Sequence, residues 1–117
     1  MAGTIMSKMN YWVAPGVKRE PVDVINKVFR LVSCEANVDE DLLRNSRRAY
    51  NAYLSNAKHI CMYIMWRKLR MNYNQIARLW EMDHKSVRYG IQKIAGWDEE
   101  GMKPDIKKTI TKIVSQL

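Results

Sequence analysis

The chain has 117 residues, enough for one domain with a modest core and a short extension, which excludes an enzyme of several domains. Its twenty Lys and Arg residues against twelve Asp and Glu residues give a formal net charge of +8 and a pI near 9.7. Such an excess favours polyanionic partners through long-range attraction.

The excess charge is concentrated in the middle of the chain, between Leu42 and Ala95. This segment contains eleven basic and two acidic residues, a net charge of +9, whereas the flanks together contain nine basic and ten acidic residues, a net charge of −1. An ordinary solvated surface is the simpler explanation of a charge run, but an imbalance this localised favours a binding face.

The N-terminal segment, residues 1–20, is predicted to be an arm, because Gly3, Pro15 and Gly16 interrupt any helix. Lys8 breaks its short apolar run, which does not resemble a signal peptide. No apolar run approaches the roughly 18 residues that span a bilayer. We therefore expect no membrane partner and a cytoplasmic location, in a bacterial or phage-infected cell.

Residues 21–117 are predicted to form a single helical domain. A first amphipathic helix begins at Pro21 and ends near Ala36, with apolar residues at helical spacing. A short helical piece, VDEDLLRNS, follows with acidic residues at its positive end. The segment RNSRRAYNAYLSN is predicted to be an exposed connection.

The strongest helical signal is AKHICMYIMWRKLR, which begins at Ala57. Its middle is apolar nearly all round, so it is predicted to be the central, buried helix of the domain. Cys34 and Cys61 lie inside apolar helical patterns and are interpreted as small buried residues of a protein in a reducing compartment.

Two short helices follow, joined by a tight turn. Asn72 can cap YNQIARLW, with Gln75 completing a capping box. Asp83 can cap HKSVRYGIQKIA, which is predicted to end at Gly96, before an acidic loop, WDEEGMK. Pro104 opens a last helix. These elements predict an all-α, compact multi-helix domain with a helix-turn-helix over about 72–96.

The second helix of this pair is predicted to have two distinct faces. One face is apolar and contains Val87, Gly90, Ile91 and Ile94; the other carries hydrogen-bond donors: Lys85, Arg88, Tyr89 and Gln92. Gly90 suggests close packing on the preceding helix. Each donor alone could be a solvated surface residue, but as a set they suit base edges and phosphates of DNA.

The segment KHICMYIMWRKLRMNYNQIARLWEMDHKSVRYGIQKI resembles domain IV, the C-terminal DNA-binding domain, of the bacterial chromosomal replication initiator DnaA. In that family, a helix reading R-Q-x-A-M-Y-L is followed by S-L-P-E-I-G and then by D-H-T-T-V at the start of the recognition helix. KHICMYI, NYNQIA and DHKSV stand at these places. With weaker matches on both sides, the resemblance covers about Val22–Leu117 and implies a Trp-repressor-like helical fold.

The resemblance and the donor face together give the candidate site residues. Base readout is expected from Asp83, His84, Lys85, Arg88 and Gln92. Contacts to the DNA backbone, including those of a basic loop, are expected from Arg44, Arg47, Arg48, Lys58, Ser86, Tyr89 and Lys93. Lys58 matches a basic residue at the start of the family's long helix.

Three positions depart from the family pattern. Met82 and Asn56 stand where the family usually has arginines, the second of which enters the minor groove, and Lys85 replaces a threonine. We therefore expect a preferred DNA site that differs from the family's usual one.

The expected function is duplex DNA binding in replication initiation or its control, in a phage or mobile element. The sequence contains no G-x-x-x-x-G-K-[ST] loop, so we expect a free-standing domain without the family's ATPase, with no bound nucleotide and no cofactor. Two alternatives stay open. The first is a module that engages a host replication protein, either through the face that binds DNA in the family or through the aromatic arm around Trp12. The second is a helix-turn-helix transcription regulator.

Catalytic and metal-binding interpretations are disfavoured. Asp83 and His84 could form an acid–base pair, but no nucleophile or second carboxylate stands at a useful helical spacing. His59 and Cys61 are two residues apart on a helix and therefore point apart, and a zinc site needs three or four ligands. We expect neither an enzyme nor a metal protein.

Overall fold

The computed structural model describes residues 21–45 and 52–117, and this part of the chain is all-α. Its helices are α1 (Pro21–Ala36), α2 (Glu40–Asn45), α3 (Ala52–Lys68), α4 (Tyr73–Trp80), α5 (His84–Glu99) and α6 (Pro104–Ser115). The predicted arm, together with Arg47 and Arg48, lies outside the described residues. None of the described helices has the length and apolar character needed to cross a membrane.

Helix α3 is the centre of the fold, as the sequence predicted. It packs against each of the other five described helices, most extensively against α5. Its middle is buried on every side, and the core residues that it contributes are Leu54, Ala57, Ile60, Cys61, Met62, Tyr63, Ile64 and Met65. A helix without a polar face is stable only when neighbours cover it all round, which is what the other helices do here.

Helix α3 begins earlier than predicted. It starts at Ala52 rather than Ala57, so the end of the expected connection is helical. The cause is packing against other parts of the fold: Leu54 is 4% exposed and extends the buried surface of α3 by a turn. Lys58 therefore lies inside the helix and not at its start.

Helix α1 covers one side of α3 with its apolar stripe. Val28, Phe29 and Val32 are buried, as the helical spacing predicted. Cys34, two positions beyond Val32, is exposed because residues two apart on a helix point in different directions. The prediction of a buried cysteine is therefore wrong for Cys34, although Cys61 is fully buried.

Helix α2 is tied to the end of α4 through Trp80. The indole Nε1 of Trp80 donates a 2.8 Å hydrogen bond to the carbonyl oxygen of Leu43. The same ring meets Phe29 edge-on, with 5.3 Å between ring centroids. The buried indole nitrogen thus has its partner, and α1, α2 and α4 converge on one aromatic pair.

Helix α5 continues past its predicted end. It runs through Gly96 to Glu99, so the start of the expected acidic loop is helical. Asp98 is 8% exposed and its carboxylate lies 2.7 Å from the hydroxyl of Tyr63 on α3, a contact that exists only if the helix goes on. The glycine with a left-handed backbone is Gly101, at φ 69°, just beyond the C-cap.

Candidate nucleic-acid interface

Local capping interactions set the geometry of the helix pair α4 and α5. The capping box predicted at the start of α4 is present: Asn72 Oδ1 accepts from the Gln75 amide at 2.8 Å, and Gln75 Oε1 accepts from the Asn72 amide at 2.9 Å. Glu81 adopts a left-handed conformation with φ 53° and ends α4. The amide of Met82 then bonds the carbonyl of Ala77 at 3.0 Å, which closes the turn.

The first turn of α5 is an open rim of polar groups. Asp83 Oδ1 accepts a 3.0 Å hydrogen bond from the Lys85 amide, so Asp83 is the N-cap that the sequence predicted. The Nδ1 atom of His84 lies 3.6 Å from the same carboxylate oxygen. Asp83, His84, Lys85 and Ser86 are all exposed, so their side chains are available to a partner.

The two predicted faces of α5 are confirmed by burial. Val87, Gly90, Ile91 and Ile94 are buried against the other helices. Lys85, Ser86, Arg88, Tyr89 and Gln92 are exposed, and Lys93 is half-buried. Tyr89 keeps 65% of its surface accessible, although burial of its aromatic ring would be energetically favourable. The exposed face therefore presents donors and one aromatic ring from a rigidly seated helix.

Gly90 is needed for the seating of α5, but its partner is not the one predicted. A Cβ atom at this position would lie 2.4 Å from Cδ2 of His59. The close approach is therefore to α3, through the His59 ring, and not to the preceding helix α4. This distance is too short for any side chain at position 90 unless the imidazole moves.

His59 is held neutral beneath the exposed face of α5. Burial lowers its pKa to about 4, and the positive charges of Lys93 and Lys58 act in the same direction. Its Nδ1 atom is buried and has no hydrogen-bond partner among the described residues. The ring stands edge-on to Tyr89, with 6.1 Å between ring centroids. His59 thus acts as a packing spacer between α3 and α5.

Lys93 is anchored between α3 and α5 through Asn56. Its Nζ atom donates a 3.0 Å hydrogen bond to the Asn56 amide oxygen and lies over the rings of Tyr89 and Trp97. Burial lowers the pKa of Lys93, and the nearby charge of Lys103 lowers it further. Asn56 thus positions a positive charge supplied by α5.

Two of the basic candidates are already engaged by other residues or buried. Arg44 donates to Glu40 at 2.8 Å and to Asn26 at 3.0 Å, and its guanidinium lies 4.5 Å from the centroid of the Phe29 ring. Lys58 is only 5% exposed, and burial lowers its pKa. These surroundings suit a structural role for both side chains better than the exposed contact to phosphate that we expected.

Arg78 is an exposed basic residue that the sequence-based site did not include. It lines an open depression of about 460 Å³, formed by the outer face of α4 and the first residues of α5, including Asp83 and His84. In helix-turn-helix proteins the first helix of the pair crosses the DNA backbone. Arg78 could have been identified from the sequence, because it lies in the last turn of the first predicted helix of the pair, just before the turn residues.

The described residues contain no group of three or more His, Cys, Asp or Glu side chains that could hold a metal ion.

The family model for the bacterial DnaA protein helix-turn-helix matches residues 25–94, a segment that begins within α1 and ends within α5. No curated protein matches the chain.

Proposed function

The chain belongs to the bacterial DnaA helix-turn-helix family, and we propose that it binds duplex DNA with the first turns of α5 in the major groove. One observation carries this proposal above the others: α5 is buried along Val87, Ile91 and Ile94 while its opposite face is a continuous row of exposed donors. A helix held in this way offers side chains of fixed direction, which base readout requires.

Base readout is assigned to the exposed residues at the N-terminal end of α5. Lys85, Arg88 and Gln92 follow one another along one face, and from first to last they span about 10 Å at 1.5 Å per residue. This length fits within the roughly 12 Å width of the major groove. Lys85 and Arg88 suit guanine O6 and N7, and Gln92 suits adenine. Asp83 caps the N-terminus of α5, and His84 adds a further side chain to the base-contacting row.

Backbone contacts are assigned to residues around this row. Ser86, Tyr89 and Lys93 flank the base-reading residues on α5, and Arg78 approaches from α4. Arg47 and Arg48 receive the same role from the family resemblance alone. Arg44 and Lys58 are assigned a supporting structural role, since Arg44 is engaged by Glu40 and Lys58 is buried.

The biological role that we propose is replication initiation or its control, in a phage or mobile element. The family supports the link to replication, because its matching domain comes from the bacterial DnaA protein. Lys85, Met82 and Asn56 depart from the pattern of the family that the sequence resembles, and the resemblance implies that the residue at position 56 enters the minor groove in that family. A protein that recognises its own origin sequence, and not the host's usual site, would need such differences.

A selection from a random duplex library tests the proposal. The expected outcome is enrichment of one short motif, with binding of the selected duplex weakening as salt is added. If about six phosphates are neutralised, log K against log salt should have a slope of about −5. Failure to enrich any sequence, or binding that does not respond to salt, would contradict the proposed function.

A further inference from the structure

A second cluster of positive charge lies at the C-terminal end of α5. Its centre is Trp97, which is half-buried. The Nζ atom of Lys103 lies 4.3 Å from the centroid of the Trp97 ring, and the Nζ atom of Lys93 lies 5.2 Å from it. Two ammonium groups from different parts of the chain are thus held on one indole ring, within the usual range of cation–π contacts.

The two ammonium groups repel each other. Lys103 lowers the pKa of Lys93 through this repulsion, after the larger effect of burial. Within the described part of the chain, neither lysine forms an ion pair, and the one hydrogen-bond partner of Lys93 is the neutral amide of Asn56. Like charges held together in this way are stabilised when an anion lies between them.

The acidic residues that follow Trp97 do not neutralise this cluster. Asp98 and Glu99 are directed to the Tyr63 hydroxyl and to Arg67, on the α3 side of the helix. Glu100 is exposed at the C-cap and forms no ion pair with another described residue. The segment WDEEGMK is acidic by composition, but the charged groups that lie over the Trp97 ring are the two lysines.

The position of the cluster relative to the base-reading residues indicates its ligand. Trp97 follows Lys85 by twelve residues, which is about 18 Å along the helix axis. The major groove is about 12 Å wide. With Lys85 in the groove and the axis of α5 across it, Trp97 lies beyond the groove edge, where the sugar–phosphate backbone runs. Lys93 follows Lys85 by eight residues, about 12 Å along the axis, and so lies at that edge.

We propose that Lys93, Trp97 and Lys103 form a second contact to DNA, a clamp for one or two backbone phosphates that flank the sequence read by the start of α5. This inference rests on the proposed function. Both ammonium groups lie over the indole ring, and the exposed part of the ring offers an apolar surface to the neighbouring deoxyribose. The clamp reads no bases, so it should strengthen binding to all sequences equally.

The test compares Lys103→Gln with Lys108→Gln on two duplexes. Lys103 provides no side-chain cap to α6, and Lys108 is an exposed lysine on the same helix, so each variant removes one charge and leaves the capping of α6 intact. One duplex carries only the selected motif, and the other extends it by about ten base pairs on each side. Both affinities are measured over a series of salt concentrations.

On the longer duplex, Lys103→Gln should weaken binding about three- to fivefold. The salt slope should become shallower by about 0.9 for each phosphate that is no longer neutralised. On the short duplex the variant should bind like the unsubstituted protein, and Lys108→Gln should be nearly neutral on both. Equal behaviour of the two variants on the longer duplex would overturn the clamp while leaving the proposed function intact. Absence of duplex binding by the unsubstituted protein would instead remove the proposed function.

A Trp97→Leu variant separates the ring from the charges. Leucine keeps an apolar side chain at the position but lacks the electron-rich ring that both ammonium groups contact. Provided that circular dichroism shows an unchanged helix content, this variant should lose affinity on the longer duplex by a similar factor to Lys103→Gln. Full affinity on the longer duplex would show that the indole does not organise the site.

Discussion

At the scale of single residues, His59 is the most unusual group in the described part of the chain. It is a titratable ring placed in the α3–α5 interface, between two lysines, with a buried nitrogen that has no partner among the described residues. The other histidine, His84, is exposed at the start of α5. Because the sequence contains two histidines in all, their effects on stability can be separated by substitution.

The position of His59 predicts a loss of stability in mild acid. Its pKa is about 4 in the folded protein against the ordinary value of 6.5, so between these values the unfolded chain binds more protons. The free energy of unfolding should therefore be greatest above pH 6.5 and fall as the pH drops towards 4. After allowance for solvent screening, the expected loss is about 1 to 2 kcal/mol.

Urea unfolding at pH 7 and pH 5 measures this loss. His59→Leu should remove most of the difference between the two pH values, because leucine fills similar space without a proton to bind. His84→Gln is the matched control and should keep the difference. The same pH dependence in His59→Leu and the original chain would show that another group is responsible.

At the scale of elements, the two glycines of α5 differ in how closely they pack: Gly90 lies against His59 of α3, whereas Gly96 does not. Gly90→Ala should place a methyl group 2.4 Å from Cδ2 of His59, whereas Gly96→Ala would place it 3.5 Å from Sδ of Met102, an ordinary contact. We expect Gly90→Ala to lower the free energy of unfolding by about 1 to 3 kcal/mol. Gly96→Ala should raise it by up to about 1 kcal/mol, because alanine favours the helix.

Thermal or denaturant unfolding of the two glycine variants provides the comparison within one helix. The double variant Gly90→Ala with His59→Ala should recover part of the loss, since the smaller side chain at position 59 gives the new methyl group room. Equal destabilisation by Gly90→Ala and Gly96→Ala would contradict the close contact between α5 and α3.

Helix boundaries that local chemistry sets can be predicted from the sequence. Asn72 and Asp83 accept hydrogen bonds from amides two or three residues ahead, and Pro21 and Pro104 suit a first turn, so these starts depend only on neighbours in the chain. The start of α3 and the end of α5 depend instead on contacts between distant segments. The carboxylate of Asp98, for example, meets a tyrosine 35 residues earlier.

At the scale of the whole molecule, the functional face is only partly visible in the sequence. The periodicity of α5 predicts its donor face, because one helix and its spacing are sufficient for that inference. The surroundings of Lys93 require α3, α5 and the segment before α6 to come together. Charge counting along the chain missed this, since WDEEGMK counts as acidic while the fold turns Asp98 and Glu99 towards α3.

The described part of the chain is accordingly a helical scaffold that presents the basic residues of α4 and α5. The buried helix α3 fixes α5 through His59 and Gly90, and α4 adds Arg78 beside the start of α5. We expect residues at the N-terminal end of α5 to set the preferred sequence, whereas Lys93, Lys103 and Arg78 set overall affinity. Variants of the two groups should then differ in kind, with reduced discrimination in the first and a changed salt response in the second.

The most direct test of the central claim is the binding of Lys85→Ala to the selected duplex and to its full set of single-base variants. We expect discrimination at one base pair to fall by about 1 to 3 kcal/mol, with preferences elsewhere in the motif kept. The control Lys108→Ala, which removes the same charge from α6, should leave every preference unchanged. An unchanged profile for Lys85→Ala, or a uniform loss over all duplexes, would contradict base readout by the start of α5.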